Sequence, residues 1–203
     1  HGSPTEAVSS TGNITVAALN GAVTLTAGDG NSSGGGNDPS YVQIGHGGHE
    51  NDTAQGAAGD VIRVDAASID LNGGSAAEAY AQIGNGGWDS HGNHQGAISI
   101  NQNGGGVAAG PFTGNISLNG GSLADTYAQI GNAGARAEGN SLGDITIGRA
   151  DGGISLVGGG ADNSYAQIGT GGFAAHGDHN STINITTTGT LKLEGGTSTD
   201  TYA

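Results

Sequence analysis

Short triplets of apolar, polar, apolar residues recur along the chain in a fixed order. One series is Ile14-Thr15-Val16, Ile62-Arg63-Val64, Ile98-Ser99-Ile100, Ile145-Thr146-Ile147 and Ile183-Asn184-Ile185. A second series follows it: Val23-Thr24-Leu25, Ile69-Asp70-Leu71, Ile116-Ser117-Leu118, Ile154-Ser155-Leu156 and Leu191-Lys192-Leu193. Alternation with period two predicts half-buried strands. The third series is a tyrosine strand. It reads Tyr41-Val42-Gln43-Ile44-Gly45, then Tyr-Ala-Gln-Ile-Gly from Tyr80, Tyr127 and Tyr165, and begins again at Tyr202-Ala203. The tyrosines are 39, 47, 38 and 37 residues apart. Gly, Asn and Asp fill the intervals, where turns need positive φ. No stretch has convincing helical periodicity.

These patterns predict an all-β chain, a single β-solenoid domain over residues 1–203. It has three strands per coil of about 38 residues, and about five coils, stacked as three parallel sheets around a narrow core. A rival division makes two coils of about 19 residues from each repeat. Three distinct strand types favour one coil per repeat. Asn101 to Phe112, with Pro111, reads as a corner insertion that lengthens one spacing. In the tyrosine strand, Ala and Ile are expected to face the core, leaving Tyr and Gln as outward columns able to stack and to hydrogen-bond along the axis. The opposite orientation, with Tyr and Gln under the following loop, stays open. His1-Gly2 and Tyr202-Ala203 both lie inside a repeat, so the chain reads as an interior length of a longer protein or as a unit whose ends dock head to tail.

Composition alone points elsewhere. Only 33% of residues are hydrophobic and 44 of 203 are Gly, which fits disorder. The pattern overrides this, because stacked repeats share a thin core. A net charge of −14, with 4 basic residues, argues against nucleic acid and anionic membranes. Without Cys there is no disulfide or thiolate chemistry. No apolar run reaches the ~18 residues of a membrane span, and no signal-peptide pattern opens the sequence.

Tyr-Ala-Gln-Ile-Gly-Asn-Gly-Gly, followed by His-Gly-Asn-His and a Gly-Asp-Ile-Thr-Ile type strand, resembles the β-strand-repeat surface proteins of the filamentous haemagglutinin type. The resemblance covers essentially the whole chain. It implies a right-handed parallel β-helix, an extracellular or cell-surface location in bacteria, and a role in adhesion or biofilm matrix.

Histidine offers the strongest chemical signal. His91-Gly92-Asn93-His94 and His176-Gly177-Asp178-His179 share one loop position, and His46-Gly47-Gly48-His49 has the same spacing. Paired imidazoles could bind zinc or copper. Arg136-Ala137-Glu138-Gly139 has no His there, so duplicated polar loops are the favoured reading and His91, His94, His176 and His179 are weak metal candidates. Asp29-Gly30-Asn31 and Asp151-Gly152-Gly153 could bind structural calcium, but turns are favoured because no calcium nonapeptide recurs. Trp88 and Phe173, equivalent after Gly-Gly, could cover the core or stack on sugars. Gly84-Asn85-Gly86-Gly87 lacks the Lys and helix of a phosphate loop.

Asp52, Asp60, Asp89, Glu138, Asp144 and Asp178 are dispersed, and no nucleophile elbow occurs. The expectation is therefore no enzyme, no catalytic residue and no cofactor. The chain is expected to be a structural module of an extracellular bacterial fibre, biofilm matrix or adhesin, self-associating end to end. The alternative is a carbohydrate- or surface-binding adhesin module acting through its loops. An ice-binding array ranks last, since Thr-x-Thr does not recur once per coil.

Overall fold

The computed structural model describes residues 9–30, 39–102 and 114–203. Among these are fifteen β-strands and no helix. Two long strands, β1 (Ile14–Thr26) and β3 (Val61–Asn72), each carry both the first and the second triplet of a repeat. In later repeats the triplets form separate strands. These are β6 (Ala97–Ile100) and β7 (Ile116–Asn119), β10 (Ile145–Ile147) and β11 (Ile154–Val157), then β14 (Ile183–Ile185) and β15 (Leu191–Glu194). The tyrosine strands are β2 (Val42–Ile44), β4 (Tyr80–Ile83), β8 (Tyr127–Ile130) and β12 (Tyr165–Ile168). Three two-residue strands complete the set: β5 (His94–Gln95), β9 (Ser141–Leu142) and β13 (His179–Asn180).

All of these strands pair in parallel, each with its equivalent in the next repeat. Ile62 pairs with Ile14 and Ile98, and Ile145 with Ile98 and Ile183. Tyr127 pairs with Tyr80 and Tyr165. Three sheets result, of eight, four and three strands.

The expected right-handed β-helix with three strands per coil, one in each of three walls, is overturned. The first and second triplets do not build separate sheets. β1 and β3 run through the corner between them, so both series join one eight-stranded sheet. At that corner the chain reads Ala17-Ala18 in β1 and Ala66-Ala67 in β3, and small side chains let a strand bend without breaking. The register shifts there, between Ala18 and Ala22. The third sheet is made instead by the short His94, Ser141 and His179 strands, in a segment that reads as loop. Most of the expected insertion at Asn101 to Phe112 lies outside the described residues, as do His1-Gly2 and Asn31.

The main core holds the apolar positions of both triplets, such as Ile62, Val64, Ile69 and Leu71, together with Ala81, Ile83, Ala128, Ile130 and Ala166 of the tyrosine strands. Ala and Ile therefore face the core as expected. The two middle tyrosine strands are nevertheless buried on both faces, since every residue of β4 and β8 is buried. Tyr80, Tyr127 and Tyr165 form a second apolar layer with Trp88, Ala135 and Phe173. Tyr and Gln thus point away from the main core and lie under the loop that follows.

Glycine ends each tyrosine strand for a steric reason. A Cβ on Gly45, Gly84 or Gly131 would sit 1.8, 1.9 or 1.7 Å from the carbonyl oxygen of the matching glycine one repeat on. No side chain fits that approach.

Candidate functional site

The layer between the tyrosine strands and their loops is the most regular polar feature of the molecule. Five tyrosine rings stack in one column. Successive centroids, from Tyr41 through Tyr80, Tyr127 and Tyr165 to Tyr202, are 4.9, 4.7, 4.9 and 4.8 Å apart, with planes within 10° of parallel. That spacing is the inter-strand distance of a sheet. In-register pairing therefore imposes the ring stack. Burial pushes the phenols of Tyr80, Tyr127 and Tyr165 well above the usual tyrosine range, and neighbouring tyrosines add to the effect. Tyr202, nearer solvent, is also raised by burial.

Beside the rings runs a glutamine column. Its amides do not bond to one another, contrary to the expectation from sequence. Gln43 Nε2 donates to Gly84 O at 2.7 Å and Gly86 O at 2.6 Å. Gln129 Nε2 donates to Gly169 O at 2.9 Å and Gly171 O at 3.0 Å. The Tyr165 hydroxyl donates back to Gln129 Oε1 at 3.3 Å. Each repeat is thus tied to the next by a buried side chain reaching backbone carbonyls, which would otherwise go unmatched.

The loop layer contains a second column, Asp52, His91, Glu138 and His176. Nδ1 of His91 lies 2.9 Å from an Asp52 carboxylate oxygen, and its Nε2 lies 3.6 Å from Glu138. The Glu138 backbone forms an isolated parallel β-bridge with that of His176, which sets the two positions in register. Acid and imidazole alternate along it. In sequence these residues look dispersed, because they lie 38 to 47 positions apart.

His94 faces a different environment from His91. It is fully buried, and its Nε2 lies 2.9 Å from Ser90 Oγ. The Ser90 hydroxyl also lies 3.0 Å from Gly87 O, so its single proton can go to that carbonyl or to His94 Nε2. The His94 Nδ1 meets no protein partner. Burial above all, then His179 and His91, lowers the imidazole pKa to about 4. Ser90 and His94 have the elements of a nucleophile and base. They lack a carboxylate on Nδ1, and both side chains are closed to solvent. His179 is exposed, one repeat beyond Ser141 in the same column. The four weak metal candidates therefore do not converge. Among the described residues no group of three His, Asp or Glu is placed to hold a metal ion.

Other candidates fall into structural roles. Asp151 pairs with Arg149 and accepts from Thr188, contacts that hold its carboxyl below the usual range. Asp60 accepts from Gly12 N and Ala57 N at 2.8 Å, and Asp144 from Thr182 N at 2.8 Å. Trp88 is stacked by His49 at 4.7 Å, and the Arg136 guanidinium lies 6.0 Å from its ring and 5.9 Å from Phe173. All four basic side chains pair with carboxylates: Arg63 with Asp65, Arg136 with Asp125, Arg149 with Asp151 and Lys192 with Glu194.

The two edges of the stack are unlike its middle. Leu193 is 58% exposed and Leu191 49%, while their equivalents Leu118 and Ile116 are buried. Ile183 and Ile185 of β14 are exposed as well, and at the opposite edge so is Tyr41. No family model, curated protein or solved structure matches the chain.

Proposed function

We propose that the chain is a structural module of an extracellular bacterial fibre, biofilm matrix or adhesin protein, in which stacked repeats form a stiff shaft that self-associates end to end. The observation that carries this reading is the unbroken tyrosine column, which runs through every repeat. It uses the most specific residue of the motif for contact between repeats. The glutamine amides, the acid–imidazole column and the Asp60 and Asp144 caps do the same. Each repeat contacts its neighbours, so bending the shaft must break several in-register ladders together. Trp88, the side chain best suited to a sugar, is occupied by His49 and Arg136. The resemblance to filamentous haemagglutinin-type repeats supports the same location and role.

Electron microscopy of the purified chain tests the proposal. The expected result is straight, unbranched rods that lengthen with protein concentration. Discrete globular particles at every concentration would sink it.

A further inference from the structure

We infer that the loop layer binds one water molecule between His94 and Ser141, held by Nδ1 of the imidazole and Oγ of the serine. The site lies inside the stack, with Gln55 on the level before it and His179 on the level after. It does not depend on how copies associate.

Three buried polar atoms of one column have no hydrogen-bond partner among the described residues: Gln55 Oε1, His94 Nδ1 and Ser141 Oγ. All three residues are closed to solvent. They pair in register on successive levels, and levels of a sheet lie about 4.8 Å apart. That gap is too long for a direct bond, and one water spans it with two ordinary hydrogen bonds. Packing decides which gap the water takes. Gly47, Gly86, Ala133 and Gly171 are equivalent, each two residues past the glycine that ends its tyrosine strand. A Cβ on Gly47 would lie 2.8 Å from Gln55 Cγ, on Gly86 2.5 Å from His94 Cδ2, and on Gly171 2.9 Å from His179 Cε1. The long side chains fill those levels. Only the Ser141 level has a side chain at this place, that of Ala133, which keeps a positive φ of 61°. The glycines elsewhere therefore answer to space. Exchanging an imidazole for a hydroxymethyl group removes more volume than the Ala133 methyl returns, and the difference is of the size of one water, ~30 Å³.

The chemistry of the two atoms selects water over an ion. His94 Nδ1 has a single bond to make, as donor or acceptor according to its tautomer, and the Ser141 hydroxyl can do either. Water matches every combination. Burial keeps the imidazole neutral down to about pH 4, so it offers an anion no charge. One nitrogen and one hydroxyl are too few for a metal ion. Because Nδ1 bonds once, a water on the Ser141 side leaves none for the Gln55 side. Bound there, the water joins β5 to β9 through side chains, in the column whose residue types change from level to level.

Crystallography of the full chain, and of a chain carrying Ala133→Gly with Ser141→His, tests the site. The parent should show a solvent peak within hydrogen-bond distance of both His94 Nδ1 and Ser141 Oγ. The double variant restores the glycine and histidine of the neighbouring levels, and its imidazole should take the water's place. Oxygen-17 relaxation dispersion, which counts long-lived buried water in solution, should fall by one water between the two chains. Ser141→Ala removes one partner without filling the space, and should shorten the water's residence about tenfold, the loss of one hydrogen bond. A parent chain without the peak, in which Nδ1 meets a protein atom directly, overturns the inference, and so do equal water counts in parent and double variant. A peak between Gln55 and His94 overturns the assignment to Ser141. The parent density decides the point even where the double variant does not fold, and no outcome bears on end-to-end association.

Discussion

Tyr127 and Tyr41 occupy the same motif position, yet the structure assigns them different weights. Tyr127 is fully buried, between Tyr80 at 4.7 Å and Tyr165 at 4.9 Å. Its hydroxyl donates to Gln82 Oε1 at 3.4 Å. Replacing it with Ala removes a buried aromatic side chain, worth about 3–5 kcal/mol with the cavity included. Two ring stacks, each about 0.5–1.5 kcal/mol beyond area, place the change at the upper end, about 5 kcal/mol. Tyr41 is 41% exposed and stacks on one ring. With less area lost and no sealed cavity, Tyr41→Ala should lower stability by about 1–2 kcal/mol. Tyr127→Phe, which keeps both stacks, should lie near 1 kcal/mol. Urea unfolding followed by far-ultraviolet circular dichroism measures all three. Stacked repeats can unfold in parts, so coincidence with a near-ultraviolet signal must be checked first. If Tyr127→Ala and Tyr41→Ala agree within about 1 kcal/mol, the column does not carry that stability.

His94 should make the protein sensitive to acid. Its folded pKa, about 4, lies below the ordinary value of 6.5, so its contribution is complete above pH 6.5 and is lost as pH falls towards 4. The shift corresponds to about 3 kcal/mol. A His94→Gln chain, which repeats the Gln55 of the same column, should lose less stability than the parent across that window, and equal slopes would refute the assignment. Gly131→Ala should lower stability by more than about 3 kcal/mol, because its Cβ would lie 1.7 Å from Gly169 O. Gly160→Ala, with nothing within 4 Å, should stay within about 0.5 kcal/mol in the same urea assay.

The triplets and the tyrosine motif were legible because stacking demands the same residue type at the same place in each repeat. That demand is strongest where side chains touch their own copies, as at Ile62, Ile98 and Ile145, or along the tyrosines. The sheet division was less legible. Nothing in Ala66-Ala67 distinguishes a strand that bends from one that stops, whereas Gly152-Gly153 does mark a break. The strands at His94, Ser141 and His179 were hidden for another reason. Two residues cannot show an alternating pattern, and the column mixes Gln55, His94, Ser141 and His179, so no single residue type runs along it. The acid–imidazole column was missed because charge was surveyed along the chain, while Asp52, His91 and Glu138 are neighbours across it.

The second layer explains how so few apolar residues support so much sheet. A single sheet over a thin core would leave Tyr and Gln in water. Here the loop folds back, and Trp88, Ala135 and Phe173 close the outer side of the tyrosine column. The rings are then shielded above and below by other rings and laterally by the loop. That arrangement requires the loop to hold its distance from the strand, and Gln82 and Gln129 set the distance through Gly131, Gly169 and Gly171 carbonyls. Because each glutamine reaches the loop of the following repeat, no repeat completes its own second layer. The consequence is cooperativity along the axis: a repeat that opens also uncovers part of its neighbour. Such coupling makes the loss of one glutamine felt in two repeats, since Gln129 alone spans from its own strand to Gly169 and Gly171.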